Sequence, residues 1–331
     1  MSISDIDREI GDIEEFERQY KICEKLGLRI EGPVYRSWEP STKPKDSKYM
    51  KLVSSYSLLK EIINFVNLHD VVTVRQIFYG LVSNQTIENN EHEYDRIVRI
   101  CKNARLAGLI PFDKIIDDTR EAEKTPSWDS IEEIIGAAIN QYRSDWWKDQ
   151  QYYVEVWLEK RTLRRIFYPI TNSFDVHLCI GGGYQSWSEI WEAVKRFESR
   201  ENQEIVILYF GDLDPSGKDI PRDLRERFSD LKVPVTVKEI ALTRDDIEQY
   251  NLPRNPSKTR EGKQKGDPRK DWYFQKYGID YGVELDALPP DVLRNKLEEA
   301  IIDHISDPHR FRQRIEQDKE EKTYWQKILA S

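Results

Sequence analysis

Apolar residues between positions 56 and 120 recur in a pattern that predicts three short helices. Within each segment they are spaced three or four positions apart, which places them on one face of a helix. The three sets are Leu59, Ile62, Ile63 and Val66; Val74, Ile77, Phe78, Leu81 and Val82; and Tyr94, Ile97, Ile100, Cys101 and Ala104. Thr73 is suited to cap the second helix, and Gly108 to end the third. Residues 109–120 alternate like a β-wing, so we expect a winged helix-turn-helix domain.

From residue 151 the pattern changes to apolar strands that alternate with helical segments. The expected strands are 152–159, 176–180, 204–210 and 233–242, and a helical pattern follows each of the first three. Strands joined through helices imply right-handed crossovers. We therefore expect an α/β domain with a mostly parallel four-stranded sheet flanked by helices.

These patterns divide the chain into five predicted parts. Residues 1–48 form an N-terminal acidic helix and linker, and 49–125 form the winged-helix DNA-binding domain. A connecting helix occupies 126–150, the α/β domain 151–305, and a C-terminal helical tail 306–331.

Composition narrows the class of protein. The 331 residues include 11% aromatic residues, enough to build a core, so a wholly disordered chain is excluded. No apolar run approaches the length of a membrane span and the first residues lack a signal pattern, so we expect no membrane association. The three cysteines lie far apart, which argues against a zinc site or disulfide framework. We expect a cytoplasmic protein, nucleoid-associated if bacterial or archaeal.

Basic residues are concentrated locally although the net charge is −9. Four of the six residues in 160–165 are basic, and the segment 254–270 holds seven basic residues against two acidic ones. Such patches bind phosphates, although a charged helix face is often only solvated. The predicted DNA-binding residues are Arg96, Arg99, Lys102, Arg161, Arg164, Arg165, Lys258 and Arg260.

Three acidic residues follow two of the predicted strands. Glu159 ends one strand, and Asp212 and Asp214 come directly after another. The carboxyl ends of parallel strands meet at one edge, where functional groups gather. Carboxylates gathered there would repel one another without a cation, and oxygen ligands suit Mg²⁺ or Mn²⁺. Taken singly, each has another explanation, since a strand-end acid is often solvated and an aspartate often caps a helix.

A tyrosine on the second helix is a candidate nucleophile. At 100° per residue, Tyr79 points about 130° away from the centre of the apolar stripe, and Arg75 lies one turn earlier on the same side. A phenol is a poor nucleophile at neutral pH unless a cation or base favours the phenolate, and Arg75 could contribute to that. The alternative is that Tyr79 is an ordinary amphipathic core residue.

Together these motifs resemble a known family. L-E-K at 158–160 and G-D-L-D-P-S-G at 211–217 match the acidic motifs of the Toprim domain. Preceded by V-R-Q-I-F-Y at 74–79, they resemble the A subunit of topoisomerase VI and its relative, the meiotic double-strand-break transesterase.

The resemblance implies a specific chemistry. Tyr79 would attack DNA and leave a 5′-phosphotyrosyl link. Glu159, Asp212 and Asp214 would hold Mg²⁺, and Lys160 would lie close to the phosphate. The resemblance also implies a homodimer. Because G-G-G-Y-Q-S at 181–186 lacks the lysine of a phosphate-binding loop, any ATPase would be a separate subunit.

Three functions remain open from the sequence. The first is a topoisomerase-like transesterase that acts through Tyr79. The second is a Toprim nuclease that hydrolyses DNA with metal-bound water and forms no covalent intermediate. The third is a non-catalytic DNA-binding regulator.

Overall fold

A computed structural model of the protein describes most of the chain from residue 47 onward. The described residues are 47–106, 109–116, 126–200, 202–255, 267 and 269–329. The predicted acidic helix and linker up to residue 46, the predicted helix end at Gly108, and the predicted DNA contacts Lys258 and Arg260 lie outside them.

The chain divides into two compact units. The first contains the described residues of 1–117 together with Asp245–Asn255 and Asp286–Asp291. The second contains the described residues of 118–244, 256–285 and 292–331.

Helices dominate the first unit. Its elements up to residue 117 are α1 (Ser47–Leu68), β1 (Val72–Thr73), α2 (Val74–Ser83), α3 (Glu91–Leu106) and β2 (Ile115–Ile116). The three helices expected here are confirmed. The predicted cap is confirmed too, because the Thr73 hydroxyl accepts the Gln76 N–H at 3.1 Å while the Gln76 side chain accepts the Thr73 N–H. β2 pairs in parallel with β1, and residues 117–120 of the predicted wing lie outside the described part of the chain.

Strands and helices alternate from residue 131 to residue 241, and helices follow. The elements are α4 (Ile131–Gln141), β3 (Tyr152–Leu158), α5 (Arg164–Ser173), β4 (His177–Ile180), α6 (Trp187–Phe197), β5 (Glu204–Phe210), α7 (Pro215–Asp230), β6 (Val235–Ala241), α8 (Arg244–Gln249), α9 (Lys270–Tyr277), α10 (Pro290–Ile302) and α11 (Pro308–Leu329). The connecting helix is shorter than the 126–150 expected for it.

The four strands form one sheet in the order β4-β3-β5-β6, and all of its pairings are parallel. The prediction of an α/β fold with a four-stranded parallel sheet is confirmed. Leu158 at the end of β3 pairs with Phe210 at the end of β5, so the two central strands end level with each other. This register places the residues that follow them at the same edge of the sheet.

Helices cover both faces of the sheet. On one face, Tyr153, Trp157 and Ile207 belong to a buried cluster with side chains of α6 and α7, among them Phe197 and Phe228. On the other face the Phe210 ring packs edge-on against Phe167 of α5, with centroids 4.9 Å apart. Because both faces are buried, the central strands have nearly continuous apolar sequences. Among the described helices, none combines the length and apolar composition needed to span a bilayer.

One charged residue lies within this core. Glu155 of β3 is fully buried, and the Arg196 guanidinium donates to both of its carboxylate oxygens at 2.7 and 3.0 Å. Trp157 Nε1 and the Tyr153 hydroxyl also donate to the carboxylate, and Cys179 Sγ lies 3.3 Å from it. The carboxylate therefore depends on a full set of donors, with Arg196 as its counter-charge.

Removing this counter-charge should destabilise the fold strongly. We expect Arg196→Met to lower the free energy of unfolding by about 3–5 kcal/mol, because it leaves a buried carboxylate unpaired. Lys195→Met is the matched control: Lys195 pairs on the surface with Glu192, and its loss should cost less than about 1 kcal/mol. Urea titration of both variants measures the difference, and equal losses would contradict this explanation.

Candidate functional site

The carboxyl edge of the sheet brings Glu159 and Asp212 together. The Glu159 N–H donates to the Phe210 carbonyl at 2.9 Å, which extends the pairing of β3 and β5 by one residue. Its carboxylate Oε2 then accepts the Asp212 N–H at 2.9 Å and the Tyr209 hydroxyl at 3.3 Å. Glu159 and Asp212 meet because β3 and β5 end level with each other.

Asp212 is held by contacts to both of its oxygens. Its side chain is 3% exposed, Oδ1 accepts the Leu285 N–H at 2.8 Å, and Lys160 Nζ lies 2.9 Å from Oδ2. The same ammonium lies 3.4 Å from Glu284 Oε2. Two carboxylates thus converge on one cation at the strand ends.

Asp214 begins the following helix. Its Oδ1 accepts the Gly217 N–H at 2.8 Å, so the helix-capping explanation describes this contact. Leu213 forms an antiparallel bridge with Val283, which keeps this segment extended. The first turn of α7 packs so tightly that a Cβ on Gly217 would lie 2.3 Å from the Asp212 carbonyl oxygen, and therefore only glycine fits there.

Burial and neighbouring negative charge disfavour the ionised form of Glu159. Burial and, next, the Asp212 carboxylate raise the pKa of Glu159 to about 7, with a further contribution from Asp214. The Asp212 N–H and the Lys160 ammonium act in the opposite direction but do not offset these effects. Burial and, next, the Glu159 carboxylate raise the pKa of Tyr209 well above its ordinary value, with further contributions from Asp212 and Asp214, so its hydroxyl remains a donor to Glu159.

The donor set suits a hard divalent cation in its chemistry, because its potential ligands are carboxylate oxygens. The positions of these oxygens, however, do not form a complete metal site. Among the described residues, no group of three or more histidine, cysteine, aspartate or glutamate side chains is placed to hold a metal ion. The Lys160 ammonium lies against Asp212, and Asp214 is directed to the α7 backbone. A metal ion shared by all three acids therefore requires Lys160 to turn away from Asp212.

Tyr79 differs from its prediction. The apolar stripe indicated a ring directed away from the core, but its side chain is only 6% exposed and its ring packs edge-on against Phe78 at 5.1 Å. The opposite side of α2 is also packed. Gln76 is 2% exposed, and a Cβ on Gly80 would lie 2.2 Å from the Phe65 ring of α1. The expectation of an outward ring was wrong, because α2 is packed on more of its surface than the apolar stripe.

The other predicted residues of the first unit have mixed positions. The Arg75 guanidinium carbon lies 5.7 Å from the centroid of the Tyr94 ring. Arg99 and Lys102 of α3 are exposed, whereas Arg96 is half-buried and pairs with Glu93 at 3.3 Å. α3 therefore presents two of its three predicted DNA contacts to solvent.

Three arginines follow Lys160 in the second unit. Arg161 and Arg165 are exposed, and Arg164 is half-buried with its guanidinium carbon 5.3 Å from the centroid of the Tyr168 ring. They lie at the start of α5, immediately after the strand that ends at Glu159. Their position places positive charge next to the acidic cluster.

Sequence reasoning left one member of the cluster open and missed another. Glu284 alternates with Asp286 in V-E-L-D, a pattern that fits either a further acid of the metal site or a surface strand, and the structure shows its side chain buried and in contact with Lys160. Tyr209 reads as an ordinary core residue within an apolar strand. A long-range contact such as that of Glu284 leaves no periodic signal, and only the fold reveals it.

Comparison of the chain with protein-family models and with curated proteins gives no match. A function for this chain therefore has to be inferred from its residues and their geometry.

Proposed function

We propose that this chain is a Mg²⁺-dependent enzyme that cleaves the sugar–phosphate backbone of DNA. The observation that carries the proposal is the cluster at the carboxyl edge, where Glu159 contacts Asp212 and Lys160 lies between Asp212 and Glu284. Acids that meet at the ends of parallel strands, beside exposed arginines, suit an anionic substrate bound through a cation. The parallel sheet is compatible with the Toprim domain that the motifs resemble.

The residues have distinct roles in this proposal. Glu159, Asp212 and Asp214 would hold Mg²⁺, or Mn²⁺ in its place, and the ion would neutralise charge that develops on the phosphate oxygens. Lys160, released from Asp212, would contact the phosphate. Arg161, Arg164 and Arg165 would bind neighbouring phosphates, and their contribution should weaken as salt rises.

A more specific version of the proposal, cleavage through a covalent tyrosine intermediate, concerns the first unit. By the resemblance, its helices belong to a winged-helix domain that binds DNA through Arg96, Arg99 and Lys102. Tyr79 attacks the backbone phosphorus: its hydroxyl gives up its proton and the oxygen bonds to the phosphorus. The bond from the phosphorus to the 3′-oxygen breaks, this oxygen takes up a proton and leaves as a 3′-hydroxyl, and a 5′-phosphotyrosyl link remains. Arg75 favours the phenolate and contacts the scissile phosphate. In this form the enzyme is a homodimer, and an ATPase would be a separate subunit.

The burial of Tyr79 favours a second candidate, hydrolysis of DNA by water without a covalent intermediate. A phenol that is 6% exposed cannot reach a phosphate unless α2 or its neighbours move. The acidic cluster would act in the same way in this candidate, and Tyr79 would serve only in packing.

One assay tests the proposal and separates its two forms. The full chain is incubated with supercoiled plasmid in Mg²⁺, in Mn²⁺ or in excess EDTA, and the reaction is stopped with detergent before and after protease treatment. Cleavage with either metal and none in EDTA is expected. DNA that enters the gel only after protease carries covalently bound protein and indicates transesterification. Free cleaved DNA before protease indicates hydrolysis, and no cleavage in either metal would contradict the proposal.

A further inference from the structure

Three exposed aromatic side chains follow strand β4. Tyr184 is 41% exposed, Trp187 54% and Trp191 51%. Helix α6 packs on the sheet through Ile190 and Val194, and the two tryptophans, one turn apart, lie together on an exposed flank of the helix beside this packed face. Tryptophan and tyrosine expose large apolar ring faces, and several of them together on a surface are typical of a binding site.

Guanidinium groups hold two of these rings. The Arg227 guanidinium carbon lies 4.9 Å from the centroid of the Trp187 ring, and its Nη1 donates to the Gln185 carbonyl at 2.9 Å. The Arg269 guanidinium carbon lies 5.4 Å from the centroid of the Tyr184 ring. The rings are therefore positioned before any ligand binds. Both guanidinium groups are also ion-paired, Arg227 with Asp223 at 2.8 Å and Arg269 with Asp267 at 2.8 Å, so they hold the rings without adding net positive charge.

The aromatic surface lies close to the acidic cluster. The Gly181 N–H donates to the Leu158 carbonyl at 2.9 Å, and the next residue of that strand is Glu159. Arg161, which is exposed, passes 4.0 Å from the position that a Cβ on Gly182 would occupy. A nucleic-acid strand that is bound on the rings and extends toward the carboxyl edge would thus also contact the Arg161 guanidinium.

Exposed flat rings close to an exposed arginine match one kind of ligand. The exposed neighbours of the tryptophans on α6 are polar, namely Ser188, Glu192 and Lys195. Unpaired nucleobases offer free faces for stacking on the rings, and their phosphates match Arg161. Bases within a duplex stack on one another and are not available to the rings.

We propose that Tyr184, Trp187 and Trp191 form a stacking surface for the unpaired bases of single-stranded nucleic acid. Binding at this surface is independent of cleavage. Its use to guide a substrate with a single-stranded segment toward Asp212 rests on the proposed function.

The test is a binding measurement without divalent cations. The full chain is titrated against a fluorescein-labelled thymidine oligonucleotide of about 20 nucleotides and against a blunt duplex of the same length, and anisotropy gives both dissociation constants. The double variant Trp187→Ala/Trp191→Ala should bind the single strand at least about tenfold more weakly. Its affinity for the duplex should change by less than about twofold, because phosphate contacts elsewhere are kept.

Trp325→Ala is the matched control, because Trp325 is 53% exposed on α11 and should not affect either affinity. Trp187→Phe/Trp191→Phe keeps aromatic faces and should retain most of the single-strand affinity, which guards against a folding defect of the alanine variant. An unchanged single-strand affinity in the alanine variant, an equal loss for both ligands, or an equal loss in Trp325→Ala would overturn the proposal. Single-strand binding that persists in a chain unable to cleave DNA would leave this inference standing while the proposed function fails.

Discussion

Replacing Asp212 by asparagine is expected to lower Mg²⁺-dependent DNA cleavage at least about 100-fold. The amide oxygen can still accept the Leu285 N–H, so the local backbone contact survives. The other position of the side chain changes from an anionic oxygen to an NH₂ group, which cannot bind a metal ion or pair with Lys160. The rate of plasmid cleavage in Mg²⁺ measures the loss, and urea titration checks that the fold is retained.

Asp230→Asn is the control for this variant. Asp230 is exposed at the last position of α7, and its replacement removes the same charge without touching the cluster. Its cleavage rate should stay within about twofold of the unmodified chain. Equal cleavage by Asp212→Asn and the unmodified protein would mean that this acid takes no part in the chemistry, and the proposed function would lose its main support.

The position of the acidic cluster could be predicted because it depends on strand ends. The apolar segments 152–158 and 204–210 predict two buried strands. Acids directly after such strands meet at one edge in any parallel sheet. The direction of each carboxylate could not be predicted in the same way. Lys160 and Glu284 are 124 positions apart, and only the folded chain determines that Glu284 reaches the ammonium that pairs with Asp212.

The burial of Tyr79 could not be predicted from the sequence. A helical wheel identifies the side of α2 with the most apolar residues, but it does not show which other sides of the helix are covered by neighbouring elements. Here Gly80, which reads as neutral in sequence, lets Phe65 approach the opposite side. Glu155 was missed for a related reason: in a strand buried on both faces, one charged residue gives no periodic signal, and its partner Arg196 lies on a separate helix.

Tyr79→Phe distinguishes the two mechanisms more sharply than any other substitution in the chain. If the hydroxyl is the nucleophile, its loss should lower the yield of covalent protein–DNA adduct at least about 1,000-fold, because the phosphotyrosyl link forms through that oxygen. The ring itself is retained, so packing against Phe78 and the stability of α2 should change little. Detergent-trapped adduct is measured on labelled DNA in Mg²⁺.

Tyr94→Phe is its control, since Tyr94 also lies beside Arg75 and also packs on Phe78, with ring centroids 5.4 Å apart. Transesterification predicts that Tyr94→Phe keeps the adduct and Tyr79→Phe loses both adduct and cleavage. Hydrolysis predicts that the unmodified chain forms no adduct and that both variants cleave at the unmodified rate. Because Tyr79 is buried in the chain on its own, the first outcome would also require that DNA binding or a second subunit moves α2 or its neighbours, since the hydroxyl must reach the phosphorus for the bond to form.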